Sequence, residues 1–200
     1  MSNLIAIDIA LLLPEAVNER AKAFNGALLA ERPDGYRFDD THLPHLTLAQ
    51  QFIRRGNLPA LIKRMDPILR GAPPLWLRVV GVGASGTAAH FAIEPTPDLQ
   101  KLHETIMDAA QSLEEAGGGA AAFYSDGELA RESDVAWVSQ FRPHSSYARF
   151  SPHITLGIGP LPEFREPFEF TADRIALCHL GRFCTCRIVL REWRLGSKGA

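Results

Sequence analysis

The sequence contains one short pattern twice, as Pro44-His45-Leu46-Thr47-Leu48 and as Pro152-His153-Ile154-Thr155-Leu156. The two copies lie about half of the 200-residue chain apart. Near-identity over five residues is too short to prove an internal repeat, but this separation is what two structurally related lobes would give. The pattern therefore predicts a duplicated half-site.

Each copy of the pattern predicts a β-strand with two different faces. Residues i and i+2 of a strand share a face, so His45 and Thr47 point to one side and the flanking leucines to the other. His153 and Thr155 are separated from their aliphatic neighbours in the same way. The aliphatic side chains can pack each strand onto its own lobe. We therefore expect the imidazoles and hydroxyls of both copies to line one shared cleft.

The rest of the sequence predicts a mixture of helices and strands. Apolar residues at helical spacing predict three helices, which begin after Pro14, Asn57 and Thr96. Residues 134–141 fit a helix or a strand equally well, and that assignment stays open. This order of elements predicts an α+β protein with an antiparallel sheet. Apolar runs predict strands over residues 4–13, 45–53, 75–84, 88–93, 153–158, 168–171, 174–180 and 185–193, the last alternating Cys186, Ile188 and Leu190 with Arg187, Val189 and Arg191.

Composition limits the classes of partner. A formal net charge of −2 argues against binding of long nucleic acids, which requires a broad excess of Lys and Arg, but a small ligand or a nucleic-acid end remains compatible. No stretch has the length of a membrane span, and residues 4–13 contain Asp8 without a basic segment before it. Three cysteines suit reduced thiols. We therefore expect a cytoplasmic protein with no membrane partner and no stable protein partner.

The duplicated pair of histidine and threonine suits hydrolysis of a phosphodiester. The reaction needs a base that activates water on one side of phosphorus and an acid that protonates the leaving oxygen on the other. Imidazole titrates near neutral pH, so two histidines can divide these tasks. Each threonine hydroxyl can donate to a phosphate oxygen. This arrangement predicts catalysis by His45, Thr47, His153 and Thr155 without a metal or another cofactor.

The paired motif resembles the 2H phosphoesterase superfamily, which includes RNA 2′,3′-cyclic phosphodiesterases and proteins described as 2′-5′ RNA ligases. The resemblance covers both His-x-Thr-x motifs, their half-chain spacing and the order of elements. It implies a single bilobal α+β domain over residues 1–200, with two pseudo-symmetric lobes, each with a largely antiparallel sheet and flanking helices. It also implies a catalytic cleft between the lobes, with His153 as the base and His45 as the acid.

Residues near the two motifs are candidates for binding the substrate. Arginines can hold a phosphate and aromatic rings can stack on a base, although loops carry such residues without any ligand. His90 and His103 are assigned structural or surface roles. A zinc site of Cys178-His179 with Cys184-x-Cys186 is disfavoured because the spacing departs from known zinc motifs. The substrate-binding candidates are Tyr36, Arg142, Tyr147, Arg149 and Phe150.

The leading hypothesis is a metal-independent hydrolase of a small cyclic phosphodiester. The expected substrate is the 2′,3′-cyclic phosphate of a nucleotide or of an RNA end, or a related compound. Three alternatives stay open: a nucleotide-binding module without turnover, an RNA 2′-5′ ligase, and a metal-dependent hydrolase that uses His45 and His153 as ligands.

Overall fold

A computed structural model describes residues 3–196 of the protein. The described chain forms four α-helices, which are α1 (Glu15–Glu31), α2 (Leu58–Gly71), α3 (Pro97–Gln111) and α4 (Glu132–Ser145). The described chain also forms eight strands, which are β1 (Leu4–Leu12), β2 (His45–Arg54), β3 (Leu75–Ser85), β4 (Ala88–Ile93), β5 (His153–Ile158), β6 (Phe168–Ala172), β7 (Arg174–Leu180) and β8 (Cys186–Arg194). No helix within residues 3–196 is both long and apolar enough to cross a membrane.

The strands form one antiparallel sheet in the order β6-β3-β4-β5-β2-β1-β7-β8. The two motif strands, β2 and β5, are neighbours at its centre. They divide the sheet into a first lobe of β2, β1, β7 and β8 and a second lobe of β5, β4, β3 and β6. The predicted α+β fold with two antiparallel lobes is therefore confirmed.

The two motif strands pair through Leu46 and Ile154, the residues between the histidine and the threonine of each motif. Because the strands are antiparallel, the same register sets His45 across from Thr155 and Thr47 across from His153. A pseudo-two-fold axis therefore passes through this residue pair. The register brings both copies of the motif to one place in the sheet.

The hydrophobic core covers one face of the sheet. Leu46, Leu48, Ile154 and Leu156 are fully buried in it, together with apolar residues of α1, α2 and α3. Burial of these aliphatic side chains fixes the facing of both strands, since a slip of one residue would turn them to the other side. The motif histidines and threonines are consequently on the face opposite to the core helices.

Each motif strand carries a β-bulge directly after its threonine. The extra residue is Leu48 in β2 and Leu156 in β5. A bulge shifts the alternation of side chains, so that the residue three positions after the threonine shares its face. In β2 this residue is Gln50, whose amide therefore lies on the same side as the motif hydroxyl.

The carbonyls of the two bulge residues are bound by buried side chains from different helices. Asn25 on α1 donates its amide hydrogen to the Leu156 carbonyl at 2.9 Å. His103 on α3 donates from Nδ1 to the Leu48 carbonyl at 2.6 Å, while its Nε2 accepts from the backbone N–H of Tyr147 at 2.9 Å. Buried carbonyls need such partners, so Asn25 and His103 hold the two bulges in place. His103 thus has the structural role that the sequence suggested.

The predicted helices begin where the sequence placed them. Thr96 caps α3, because its hydroxyl accepts a hydrogen bond from the backbone N–H of Leu99 at 3.3 Å. The ambiguous residues 134–141 are helical and belong to α4.

The strict alternation predicted for β8 is wrong. Ile188 and Val189 are both exposed, whereas Arg187 is buried. The pairing between β7 and β8 contains two register shifts, which interrupt the period of two. β8 also lies at the edge of the sheet, where only one neighbouring strand constrains it.

Candidate active site

The two motif histidines are oriented in the same way. His45 donates from Nδ1 to the carbonyl of Leu43 at 2.8 Å, and His153 donates from Nδ1 to the carbonyl of Ser151, also at 2.8 Å. In both cases the acceptor lies two residues before the histidine. A ring held through Nδ1 presents its other nitrogen, Nε2, for chemistry. The structure therefore brings two matched imidazoles to adjacent strands.

A buried carboxylate lies beside the motif of the first lobe. Asp8 on β1 is fully buried. Its Oδ2 accepts hydrogen bonds from the Thr47 hydroxyl at 2.8 Å and from the Gln50 amide at 2.7 Å. The same oxygen is 3.4 Å from Nε2 of His45. Its other oxygen, Oδ1, has no hydrogen-bond partner among the described residues.

The second lobe has no acid at the matching position. Asp8 lies opposite Gln50, three residues after the motif threonine, and the equivalent pair in the second lobe is Ala88 opposite Ile158. Two polar residues are thus replaced by two apolar ones. Pseudo-symmetry of the backbone is therefore not matched by symmetry of charge.

The second lobe has instead a third histidine. His90 on β4 lies opposite Thr155, where the first lobe has Ala10 opposite Thr47. The centroids of the His90 and His153 rings are 4.9 Å apart. Gly83 on β3 makes room for the His90 ring, since a Cβ there would lie 2.6 Å from its Nε2. His90, to which the sequence assigned only a structural or surface role, therefore contacts the ring of a motif histidine.

The pKa values of the two motif histidines are shifted in opposite directions, by burial and by neighbouring groups. For His45, burial disfavours the charged ring, but the Asp8 carboxylate and the Leu43 carbonyl outweigh it, and the pKa is raised. For His153, burial lowers the pKa, and the nearby charge of His45 lowers it further, against the opposing effects of the Ser151 carbonyl and Asp8. One imidazole favours the protonated form and the other the neutral form. Such a divided pair suits acid–base catalysis.

Asp8, His45 and Cys186 could in principle hold a metal ion, because one ligand atom of each lies within 4.8 Å of the others. Metal binding requires a deprotonated thiol and a neutral imidazole. Burial, together with the neighbouring Cys178, raises the pKa of the Cys186 thiol well above its ordinary value. The pKa of His45 is raised as well. A metal ion bound here would have to displace these protons and the ion pair between Asp8 and His45.

The residues of the disfavoured zinc motif have other partners. His179 lies 2.9 Å through its Nε2 from the carbonyl of Ala122. The Cys184 thiol donates to the carbonyl of Asp134 at 3.7 Å. All three cysteines are free thiols, and Cys178 and Cys186 are fully buried.

Three of the predicted substrate-binding residues contact side chains or carbonyls of α3. Arg142 forms an ion pair with Glu114 and donates to the carbonyl of Met107 at 3.1 Å. The Tyr147 hydroxyl donates to Asp108 on α3 at 2.7 Å. The Phe150 ring stacks on His103, with centroids 3.9 Å apart.

The remaining two candidates have other partners. Tyr36 is buried, its ring lies 5.2 Å from that of Phe183, and burial raises the pKa of its hydroxyl. Arg149 is exposed and donates to the carbonyl of Pro143. Within residues 3–196, none of the five candidates has a hydrogen bond to a motif side chain. Their role in substrate binding stays a prediction.

Sequence reasoning missed Asp8 and Gln50, as well as the contact of His90. A signal for Asp8 was present, since it is the one acid inside the apolar run of residues 4–13. A buried acid in such a run needs partners, which marks it for attention. Gln50 and His90 carried no comparable signal, because the position of each side chain relative to the motif residues depends on the bulges.

The fold and the paired His-x-Thr-x motifs are those of 2H phosphoesterases, and comparison with known families agrees with this class. The family model described as the 2′-5′ RNA ligase superfamily matches residues 13–182, and the chain belongs to this family. The family comprises phosphoesterase and ligase enzymes of the 2H type. A search of curated proteins finds no match.

Several solved structures share the fold. TT0787 of Thermus thermophilus matches with a TM-score of 0.63 and 20% identity, over 98% of this chain and all (100%) of that one. E. coli LigT complexed with ATP matches with a TM-score of 0.60 and 16% identity, over 96% of this chain and 98% of that one. E. coli LigT complexed with 3′-AMP matches with a TM-score of 0.57 and 16% identity, over 98% and 99%. At these identities the likeness establishes the fold alone.

Proposed function

We propose that this protein is a metal-independent phosphodiesterase that hydrolyses a 2′,3′-cyclic phosphate of a nucleotide or RNA end, or a related small cyclic phosphodiester. The observation that carries the proposal is the pair of imidazoles on adjacent strands, each held through Nδ1 by a carbonyl two residues upstream. Both rings present Nε2, the nitrogen that can exchange a proton with a substrate. Membership of the 2H-type family supports the reaction class.

The proposed reaction assigns the base to His153 and the acid to His45. Nε2 of neutral His153 takes a proton from water as the water oxygen forms a bond to phosphorus. The bond from phosphorus to the leaving sugar oxygen breaks, and protonated His45 supplies the proton that this oxygen needs. The cyclic diester becomes a monoester, and proton exchange with solvent restores both rings. General acid–base steps of this kind contribute roughly 10²- to 10⁴-fold each.

A nucleotide-type substrate is the best-supported class. Three of the similar LigT structures are described as complexes with ATP, NADP+ and 3′-AMP. A formal net charge of −2 is compatible with a small nucleotide or a nucleic-acid end and unfavourable for a long polyanion.

The proposal is tested by a screen of 2′,3′-cyclic nucleotides, cyclic-phosphate RNA ends and ADP-ribose cyclic phosphate, with identification of the products. His45→Ala and His153→Ala are each expected to lose at least about 100-fold in kcat/KM. His144→Ala is the matched control, because His144 lies exposed on α4. Activity should be unchanged by a chelator.

Each outcome has a clear meaning. Full activity in either motif variant would refute the acid–base assignment. Nucleotide binding without any product would identify a binding module instead. Formation of a 2′-5′ linkage from two RNA ends would identify a ligase, and loss of activity in chelator with recovery on added metal would identify a metal-dependent hydrolase.

The pH profile of kcat/KM is a further prediction. The rising limb reports the base, and the lowered pKa of His153 extends activity to lower pH than an ordinary histidine allows. The falling limb reports the acid, and the raised pKa of His45 extends activity to higher pH. We therefore expect a bell-shaped profile with a broad plateau. A narrow bell centred on the ordinary histidine pKa would contradict the divided pair.

A further inference from the structure

We propose that Asp8 is a positioning residue that makes the two copies of the motif unequal. It holds His45 for the role of the acid and accepts the hydrogen bond that the Thr47 hydroxyl donates, so that Thr155 is the threonine that donates to the phosphate. The proposal rests on the proposed function for its reaction. The contacts of Asp8 on which it depends are made within the protein and involve no substrate.

The first step of the argument is the burial of the carboxylate. A buried charge is costly unless it is paired and hydrogen-bonded. Asp8 is fully buried, and the cationic group in contact with it is the His45 ring at 3.4 Å. This distance exceeds that of an ordinary N–H···O hydrogen bond, which is about 2.7–3.2 Å. The ion pair thus holds the ring while its Nε2 proton stays transferable to a leaving oxygen.

The second step concerns the single proton of the Thr47 hydroxyl. That proton is donated to Oδ2 of Asp8 at 2.8 Å. Gln50 supports the arrangement by donating to the same oxygen at 2.7 Å, and its amide is 3.4 Å from the Thr47 hydroxyl oxygen. A hydroxyl has one donor. Toward the cleft, Thr47 can therefore accept a hydrogen bond but cannot also donate one.

The third step is the contrast with the other motif. Ala88 and Ile158 occupy the positions that correspond to Asp8 and Gln50. No hydrogen bond to the Thr155 hydroxyl occurs within the described part of the chain. Its proton is therefore available for a non-bridging phosphate oxygen, which is the role that stabilises charge in the transition state.

Other titratable groups lie around Asp8 and His45 and could also influence the titration of His45. Cys178 on β7 pairs with Asp8 across the sheet, and the charge of Asp8 acts on the thiols of Cys184 and Cys186. His153 on β5 interacts electrostatically with His45 and Asp8. The raised pKa values of Cys184 and Cys186 favour uncharged thiols at neutral pH, so Asp8 is the acid expected to control the charge of His45.

The test is Asp8→Asn, which keeps the size of the side chain and removes its charge. Two-dimensional NMR of the histidine rings is expected to show the pKa of His45 moving downward, because the main raising influence is lost while burial remains. The falling limb of the pH profile should move to lower pH, and kcat at pH 8 should fall about 10-fold or more. Asp98→Asn, at an exposed position in the first turn of α3, is the charge-loss control and should change neither the His45 titration nor the pH profile.

The reverse substitution, Ala88→Asp, sharpens the test. Ala88 is half-buried at the pseudo-symmetric position, so a carboxylate there is expected to raise the pKa of His153. An unchanged His45 titration in folded Asp8→Asn would overturn the positioning role. That result is separate from failure of the proposed function, which would appear as full activity in His45→Ala, because the NMR titration needs no substrate.

Discussion

The first lobe has a buried carboxylate beside its motif histidine, whereas the second lobe has another imidazole beside its own. Asp8 lies 3.4 Å from the Nε2 of His45, and the ring of His90 lies 4.9 Å from that of His153. The motifs themselves are nearly identical in sequence and in backbone geometry. The comparison teaches that the motif sets where the two rings lie, while burial and the Asp8 carboxylate shift the pKa values of the two rings in opposite directions.

The largest expected contrast is between the two threonines. Thr155→Val removes the proposed phosphate donor, and kcat is expected to fall by about 10²-fold, the size found for single donors to a developing oxyanion. Thr47→Val should reduce kcat less, because the Thr47 hydroxyl already donates its hydrogen bond to Asp8. Steady-state kinetics of the two variants measures the difference.

The two variants are expected to rank in the opposite order by loss of folding stability, with the larger loss in Thr47→Val. Thr47→Val leaves the buried Asp8 with one donor fewer, which costs about 1–3 kcal/mol in the free energy of unfolding. Thr155→Val should change it by less. If both variants lose equal activity and equal stability, the two half-sites are equivalent and the comparison fails.

A second contrast concerns the side chains that hold the two bulges. Asn25→Leu removes three hydrogen bonds, to the Leu156 carbonyl, the Tyr36 carbonyl and the Phe38 N–H. His103→Leu removes two, to the Leu48 carbonyl and the Tyr147 N–H. We expect losses of about 3 and about 2 kcal/mol in unfolding free energy, since each buried group left unpaired is costly. Urea denaturation measures both, and a larger loss for His103→Leu would contradict the account.

The smallest expected effect tests the packing of the third histidine. Gly83→Ala would place a Cβ 2.6 Å from the His90 Nε2, so the ring must shift relative to His153. We expect kcat/KM to fall by less than about tenfold, which corresponds to less than ~1.4 kcal/mol. Gly81→Ala is the matched control on the same strand, because its Cβ would meet open space. Equal kinetics in both variants would show that the position of His90 does not affect the reaction.

Much of this architecture could be predicted from the sequence, because its strongest signals are local. The run of residues 4–13 gave β1, and Thr96 with Pro97 gave the start of α3 to the residue. The duplicated motif predicted that the side chains of His45 and His153 project into one shared space, and the structure places their strands next to each other in the sheet. The period of apolar residues along the chain can be read from neighbouring positions. It predicts the structure correctly where burial keeps one face of the element in the core.

The rest depended on contacts between distant residues. Asp8 meets Thr47 across 39 positions of sequence, and this contact needs both the pairing of β1 with β2 and the bulge at Leu48. The Tyr147 hydroxyl donates to Asp108, a partner on α3 that no local pattern reveals. Register shifts also broke the alternation predicted for β8.

The most direct test of the divided site is an NMR titration of the wild-type protein with its histidine resonances assigned. The account predicts that His45 titrates above, and His153 below, the ordinary pKa of histidine, so that one ring is charged and the other neutral over the intervening pH range. Two rings that titrate together, or in the reverse order, would contradict it.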